Sequence, residues 1–306
     1  MNHGVFDPAG PAAQAIAGVG WLLIVGGTLI LAGVMALLAW ALRRRSDRVR
    51  PFLWLVGGGV LFPGVVLVAL FAWSLPHTPV WKPVPPPGAL VITVTGRMWW
   101  WEVRYPAEGA VAAFTTANEI HIPTGRPVFI ALASDDVIHS FWVPALAGKL
   151  DMVPGRLQHL LLSADRAGTY RGQCAEFCGE QHALMALHVV AKAPQEFDAW
   201  RAAQAAPAAP APDARRQLGQ QAFLAQRCDA CHTVRGVGAE SRLGPDLTHV
   251  GSRLHLAAGT LPNGTASLAH WVAHVQDIKR GARMPSYPQL DGETLGALAA
   301  WLESLK

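Results

Sequence analysis

The residues best suited to chemistry lie in one short segment, from Cys174 to Met185, which reads C-A-E-F-C-G-E-Q-H-A-L-M. This segment holds two thiols, an imidazole and a thioether, and soft sulfur ligands combined with imidazole favour copper. A single copper ion of the blue type takes one Cys, together with His and a weak axial Met. The second thiolate is therefore surplus to a blue copper site, and two thiolates can instead bridge two copper ions.

Two interpretations of the pair Cys174 and Cys178 stay open at this point. The simpler one is a disulfide, the usual state of paired Cys in an exported domain. The order of His182 and Met185 after Cys178 suits a copper-binding loop instead. Because one loop cannot surround two metal ions, a second imidazole must come from a different strand. The best candidate is His139, in the segment D-D-V-I-H-S-F-W-V-P.

The other two cysteines stand in the sequence C-D-A-C-H, from Cys228 to His232. C-x-x-C-H is the motif of covalent c-type haem attachment. Each thiol, Cys228 and Cys231, adds to the haem, and the adjacent His232 binds the iron; a disulfide is the alternative. A sixth ligand is still required, and a Met in that position raises the haem potential. Met284 is the only Met that follows His232 in the chain.

Two apolar runs without a charged residue, at 16–42 and 52–75, precede these motifs. Each run is longer than the roughly 20 residues that cross a bilayer, and no Lys or Arg precedes the first run as it would in a signal peptide. Residues 43–50 carry five Arg and one Asp, a net +4 that equals the net charge of the whole chain. The two runs predict two transmembrane helices, and the basic charge between them predicts that they are joined on the cytoplasmic side, with both termini outside. The rest of the chain then has no net charge, which argues against nucleic acid as a partner.

The composition of the chain predicts a multidomain protein with a helical hairpin, a β-sandwich and a small all-α domain. Residues 1–75 form the N-terminal segment and the two transmembrane helices. Residues 76–204 begin with a Pro-rich stalk, continue as short β-rich runs broken by turn residues, which predict a β-sandwich, and end in a short helix from 194 to 204. An Ala/Pro linker follows at 205–213. Helical periodicity returns at 214–306, with helices predicted at 267–276 and 291–305.

The last of these domains resembles the class I cytochrome c family over residues 215–306. The resemblance rests on G-x-x-x-F, starting at Gly219, on L-G-P-D-L at 243–247 and on the Met-Pro pair at Met284. It implies that the carbonyl group of Pro245 orients the ring of His232, since a partner of this kind fixes the tautomer of a metal-bound imidazole.

Residues 1–204 resemble subunit II of haem-copper cytochrome c oxidase, whose cupredoxin domain holds the binuclear copper centre CuA. The matching segments are D-V-I-H-S-F-W-V-P at 136–144, K-L-D-M-V-P-G-R-L at 149–157, M-W-W-W-E-V-R-Y at 98–105 and the loop from Cys174 to Met185. With a haem domain fused behind it, the whole chain resembles subunit II of the caa-type oxidases.

The resemblance implies a complete ligand set for CuA. Cys174 and Cys178 bridge both copper ions. His139 and Met185 bind one copper ion, and His182 binds the other together with the main-chain carbonyl group of Glu176.

Further roles follow from the resemblance for residues around the copper site. The carboxylate of Glu176, a hard ligand, binds Mg²⁺ at the boundary with subunit I. Asp151 and Arg156 lie in the segment that faces subunit I. Trp99 opens the aromatic patch through which electrons arrive. One feature departs from the family, because the sequence R-V-R-P-F-L-W before the second helix lacks the Glu that begins a proton path. The resemblance therefore assigns no proton-uptake residue to this chain.

The implied function is an electron relay in a bacterial plasma membrane, with the copper and haem domains on the periplasmic side. A cytochrome c or a quinol:cytochrome c reductase reduces haem c, and haem c then reduces CuA. CuA passes the electron to subunit I, where dioxygen is reduced to water and protons are pumped. The chain is then an enzyme only as a subunit of the oxidase. Two alternatives remain: the CuA-bearing subunit of a nitric oxide reductase, and a membrane-anchored electron carrier without a catalytic partner. The segment 149–157 favours the oxidase.

Overall fold

The computed structural model describes residues 4–43, 50–77 and 84–306. Most of the Arg-rich turn, at 44–49, and the central part of the Pro-rich stalk, at 78–83, lie outside the described residues. The membrane orientation inferred from that turn stays a prediction, as do the domain limits at 75, 204 and 213. The fold class is confirmed, because two apolar helices are followed by a β-sandwich and then by a small helical domain.

The two N-terminal helices are both long and apolar enough to cross a membrane. Helix α1 spans Pro11–Arg43, and the second span begins as a wide π-helical segment, Leu53–Leu61, that continues directly into α2, Phe62–Ser74. Pro63, near the start of α2, has no N–H group to bond to the carbonyl group four residues earlier. The three consecutive glycines at 57–59 leave the backbone free to widen at that point.

The β-sandwich consists of two five-stranded sheets, and together with the helix α3 behind it we call it the sandwich domain. The strands are β1 Leu90–Arg97, β2 Trp100–Tyr105, β3 Phe114–Ala117, β4 Glu119–Pro123, β5 Val128–Ser134, β6 His139–Trp142, β7 Leu150–Met152, β8 Gln158–Leu162, β9 Gly168–Cys174 and β10 Ala186–Lys192, and α3 spans Pro194–Ala205. The first sheet has the order β3-β2-β1-β5-β8 and the second β4-β10-β9-β6-β7.

The core of the sandwich domain lies between the two sheets. In β1, Leu90, Ile92 and Val94 are fully buried while Val91 is exposed, which is the alternation of a strand with one face on the core. The strand β10 is buried on nearly every residue because the second face of its sheet is also covered. The Cys174–Met185 loop connects β9 to this buried strand.

The helical domain, residues 214–306, is built on the crossing of its first and last helices. Its elements are α4 Ala214–Ala225, the short hairpin β11 His255–Leu256 and β12 Leu261–Pro262, α5 Thr265–Ala273, α6 Val275–Ile278 and α7 Gly292–Ser304. The carboxylates of Asp213 and Asp291 accept hydrogen bonds from the backbone of the first turns of α4 and α7, as expected of N-caps. The predicted helix at 267–276 is interrupted, because the backbone of His274 leaves the helical region between α5 and α6.

Gly219 makes the crossing of α4 and α7 possible. A Cβ atom at this position would lie 2.2 Å from the carbonyl oxygen of Ala297 and 2.7 Å from Cβ of Trp301. Because the first of these atoms belongs to the backbone, the helices themselves would have to separate.

We therefore expect Gly219→Ala to lower the free energy of unfolding of the helical domain by about 2 kcal/mol, as is usual for overpacking. The same substitution at Gly292, where a Cβ would meet no atom within 4 Å, is the matched control. Thermal denaturation followed by circular dichroism of the haem band measures both variants. Equal melting temperatures for the two variants would show that the crossing is not tight.

Candidate metal and haem sites

Two neighbouring strands bring the predicted copper ligands together. Strands β6 and β9 pair antiparallel, with Phe141 opposite Cys174. His139, at the start of β6, therefore lies beside the loop that follows Cys174 at the end of β9. Five predicted ligand residues meet at this end of the sandwich domain, although they come from two segments about 35 positions apart in sequence.

The sulfur and nitrogen atoms of this site lie within a few ångströms of one another. The Sγ atoms of Cys174 and Cys178 are 3.8 Å apart. Nδ1 of His139 lies 3.8 Å from Sγ of Cys174, and Nδ1 of His182 lies 3.5 Å from Sγ of Cys178. Sδ of Met185 completes the group at 3.8 Å from Sγ of Cys178. His139, Cys174 and Cys178 are all buried, and their ligand atoms lie within 4.8 Å of one another.

This arrangement fits a metal and not a disulfide. Both cysteines are free thiols, and their separation of 3.8 Å far exceeds the roughly 2.05 Å of a disulfide bond. At metal–sulfur distances of about 2.3 Å, one ion can contact both sulfur atoms. The main-chain oxygen of Glu176 lies 3.2 Å from Sγ of Cys174 and faces the same space. The donor set of sulfur, imidazole and one carbonyl oxygen is suited to copper.

Asp136 holds the ring of His139 in place. Its Oδ1 atom lies 2.8 Å from Nε2 of His139, so Nδ1 is the nitrogen that faces the thiols. Burial alone would lower the pKa of His139, but the Asp136 carboxylate and the Cys174 sulfur outweigh it and raise this pKa to about 8. Burial alone would raise the pKa of Asp136, but hydrogen bonds with His139 and with the amides of Met98 and Val137 outweigh it, so this pKa is lowered. Sequence reasoning missed Asp136, although its position three residues before His139 was a usable signal.

Contact between the two thiols separates their pKa values. The hydrogen bond that they share lowers the pKa of Cys174 and raises the pKa of Cys178. Cys174 is therefore the first to ionise. Metal binding must displace the remaining proton, because the thiolate is the form that binds the metal.

The structure separates the predicted magnesium ligand from the copper ligands. The side chain of Glu176 is 45% exposed, and its Oε2 atom lies 3.7 Å from Nζ of Lys149. Asp151 pairs with the same Lys149, at 3.0 Å. Arg156 is exposed on the same segment, followed by Leu157, which is 58% exposed. Among the described residues no other carboxylate joins Glu176 in a metal-binding group, and its role towards Mg²⁺ stays a prediction.

A large cavity contains the residues of the predicted haem site. Its volume is about 560 Å³, within the usual range of about 300–1,000 Å³ for cofactor pockets. Nδ1 of His232 donates a hydrogen bond of 2.8 Å to the carbonyl oxygen of Pro245, so Nε2 is free to bind iron. Burial also lowers the pKa of His232, which keeps the ring neutral and able to act as a ligand. The lining on the helical-domain side includes Phe223, Cys228, Cys231, His232, Leu243, Pro245, Trp271, Met284, Tyr287 and Leu298.

Two residues that support this pocket were missed in the sequence. Nε2 of Gln276 donates hydrogen bonds of 2.8 Å to the carbonyl oxygens of Ala282 and Met284, which fixes the turn that carries Met284. Gly244 lies against the ring of His232, where a Cβ would come within 2.6 Å of a ring carbon. The motif L-G-P-D-L contained the signal for Gly244, because only a residue without a side chain fits beneath the ring.

Trp99 lies between the two candidate sites. It is only 9% exposed, and its indole Nε1 donates a hydrogen bond of 2.8 Å to the carbonyl oxygen of Cys178. Together with its neighbours it forms the wall of the haem cavity on the sandwich-domain side, which consists of Arg97, Met98, Trp99, Trp100, Asn118, Asp135 and Asp136. The two sites therefore share a wall.

Comparisons with known proteins agree with this pair of sites. Residues 107–192 match the family described as cytochrome c oxidase subunit II, periplasmic domain. Residues 217–306 match the cytochrome c family. The solved structure of the periplasmic domain of subunit II of cytochrome oxidase from Bradyrhizobium japonicum is similar to this chain at 30% sequence identity. The match covers 40% of this chain and 96% of the Bradyrhizobium domain, with a TM-score of 0.36.

Curated relatives match the chain over a longer stretch. Cytochrome c oxidase subunit 2 of Alkalihalophilus pseudofirmus is 41% identical over 215 residues, which are 70% of this chain and 61% of that protein. Cytochrome c oxidase subunit 2 of Bacillus sp. strain PS3 is 32% identical over 228 residues, which are 71% of this chain and 62% of that protein. The chain thus spans about three fifths of the length of these relatives.

Fold and sites together define a membrane-anchored chain with a cupredoxin-like domain followed by a cytochrome c domain. Its two soluble parts match the cytochrome c oxidase subunit II periplasmic-domain family and the cytochrome c family, and their fusion fits a caa3-type oxidase. These families imply CuA copper and haem c as the cofactors.

Proposed function

We propose that this chain is subunit II of a proton-pumping haem-copper terminal oxidase, and that it passes electrons from a cytochrome donor through haem c and CuA to subunit I, where dioxygen is reduced to water. The observation that carries the proposal is the convergence of His139, Cys174, Cys178, His182 and Met185 at the end of the sandwich that adjoins the haem cavity.

The residues of the copper site are suited to holding an electron carrier rather than releasing a metal. Cys174, Cys178 and Met185 are buried by 95% or more, and His139 is fully buried. Cys174 and Cys178 would hold copper through both sulfur atoms, and a centre of that kind would supply electron transfer with little rearrangement of its ligands. The strand pairing of β6 with β9 and the Asp136–His139 hydrogen bond hold the ligands rigidly, which serves the same end.

The surface beyond the copper site fits a protein partner. Phe177, between the two cysteines, is 75% exposed, and Leu157 is 58% exposed. Exposed apolar side chains around an ion-paired rim are typical of a protein–protein contact. We assign this face, with Asp151, Arg156 and a Mg²⁺ bound by the Glu176 carboxylate, to subunit I. The sandwich and helical domains then lie on the periplasmic side with both termini, and the donor is a cytochrome c or a quinol:cytochrome c reductase.

The proposal is tested by purifying the tagged chain from its native membranes in mild detergent. We expect a haem-copper subunit I to co-purify and the complex to reduce dioxygen. Recovery of the chain alone would favour a free electron carrier, and a partner that reduces nitric oxide but not dioxygen would favour a nitric oxide reductase. Either result would overturn the proposal.

The predicted face is tested in the same purification with Leu157→Ser. Loss of a buried apolar contact of this size weakens association by roughly tenfold or more, so the yield of subunit I should fall. Leu218→Ser, which removes a Leu that is 38% exposed on the helical domain, is the matched control and should leave the yield unchanged. An equal yield with both variants would move the subunit I contact away from this face.

A further inference from the structure

A buried lysine joins the two domains. Lys279, in the helical domain, is only 3% exposed. Its Nζ donates hydrogen bonds to the carbonyl oxygens of Trp99 at 2.7 Å, Leu184 at 2.8 Å and Ala257 at 3.1 Å. The first two carbonyl groups belong to the sandwich domain and the third to the helical domain. Burial lowers the pKa of Lys279 to about 7. A buried amino group is costly unless its donors are used, and here three carbonyl oxygens accept its hydrogen bonds.

The contacts around Lys279 are those of a fitted interface. The amide of Ala186, at the start of β10, donates a hydrogen bond of 3.0 Å to the carbonyl oxygen of Ala258 in the helical domain. In the opposite direction, the amide of Leu254 donates to Oε2 of Glu119 at 2.9 Å. Gly259 lies so close that a Cβ there would come within 2.9 Å of Cβ of Ala186. Main-chain amides of both domains therefore donate hydrogen bonds across the interface, one to a carbonyl oxygen and one to a carboxylate.

The interface covers Trp99, the residue predicted to receive electrons from outside. One edge of its indole ring is bonded to the carbonyl oxygen of Cys178. The other edge lies against Gly281 of the helical domain, where a Cβ would be 3.5 Å from the ring. With the domains docked in this way, Trp99 is only 9% exposed, and it lines the haem cavity.

We propose that Lys279 fastens the helical domain onto the sandwich domain, and that the docked helical domain closes Trp99 to external donors and reserves it for the haem side of the same chain. This inference rests on the function proposed above, because it names the surface through which that relay runs. Lys279 acts as a positioning residue, since it touches the main chain of Trp99 and of the copper loop but no predicted ligand atom.

The amides of Ala186 and Leu254 report docking directly, because each is bonded across the interface. In Lys279→Met, which keeps the length of the side chain but cannot donate, we expect their hydrogen exchange to accelerate roughly 10- to 100-fold, the factor that corresponds to losing a charged hydrogen-bond donor. The amide of Val189, inside β10, serves as the internal reference and should not change. Lys306→Met removes a lysine whose side chain is 63% exposed on the same domain and is the matched control.

Two further readouts separate docking from damage to either domain. In Lys279→Met the absorption spectrum and potential of the haem, and the spin-resonance signal of the copper, should remain those of the parent protein, while electron transfer from haem to copper slows. Unchanged exchange at Ala186 and Leu254 in a variant with a native haem spectrum would overturn the proposal. If the parent protein binds no copper but its Ala186 and Leu254 amides are protected from exchange, the proposed function is contradicted and the docked arrangement still holds.

A second variant tests docking if Lys279→Met does not fold. Arg242, whose side chain is 63% exposed on the helical domain, pairs with the buried carboxylate of Glu102 in the sandwich domain. Glu102 keeps a second partner, Arg97, at 3.6 Å, so Arg242→Gln leaves no buried charge unpaired. Loss of one exposed partner should accelerate exchange at Ala186 and Leu254 by about two- to fivefold. No acceleration in this variant would overturn the docked arrangement.

Discussion

Replacing Cys178 by Ser is expected to abolish the seven-line spin-resonance signal of a mixed-valence copper pair and to leave at most one copper ion at the site. The reason is the position of the sulfur, which lies within 3.8 Å of Sγ of Cys174, Nδ1 of His182 and Sδ of Met185. A serine oxygen is a harder ligand and does not bridge copper as a thiolate does. The imidazole of His139 and the thiolate of Cys174 can still retain a single ion.

The reciprocal variant Cys231→Ser provides the control for that experiment. It removes one predicted haem attachment and should leave the copper signal unchanged, because Cys231 lies in the haem cavity of the other domain. Metal analysis and spin resonance on both purified variants make the comparison. A seven-line signal that survives in Cys178→Ser would show that this thiolate is not a bridge.

Replacing Met284 by Ala is expected to lower the midpoint potential of haem c by on the order of 100 mV, because a Met/His ligand pair raises the potential and axial ligands tune it over about 0.8 V. The weak ferric absorption band near the red end of the spectrum should disappear as well. Met284 lines the haem cavity, and the hydrogen bond from Gln276 to its carbonyl oxygen holds the turn that presents it.

The structure offers a matched control for this second experiment, because Met98 lines the same cavity from the sandwich domain. Met98→Ala should keep both the red band and the potential. If Met284→Ala leaves them unchanged and Met98→Ala removes them, the sixth ligand comes from the other domain. A redox titration followed by visible absorption decides between the two.

The copper ligands could be predicted from the sequence because most of them lie in one loop. Four side chains between Cys174 and Met185 gave the chemistry, and the need for a second imidazole pointed to His139. The pairing of β6 with β9, which brings His139 to the loop, is a long-range contact that no local pattern encodes. The class of each domain was likewise visible, because periodicity changes from short β-rich runs to helical spacing at the Ala/Pro linker.

What the sequence could not provide is the packing of one element on another. Lys279 stands in the sequence as an ordinary charged residue after α6, yet it is buried against two carbonyl groups of the other domain. Trp99 was predicted to open an aromatic patch for electron entry, and its burial to 9% exposure could not be read from the sequence. The glycines at 219 and 244 gave a weak signal, because close approach of a helix or a ring is set by the tertiary fold and not by neighbours in the chain.

The relay is tested most directly by timing the two cofactors in one experiment on the purified complex. A brief flash of a photoreductant reduces haem c, and the visible haem band and the near-infrared copper band are followed together. We expect haem c to be reduced first and then reoxidised with the same time constant with which the copper becomes reduced, before dioxygen is consumed. Copper that is reduced independently of haem c, or that stays oxidised while haem c loses its electron, would contradict a relay in which the haem domain is the donor for the Cys174–Met185 site.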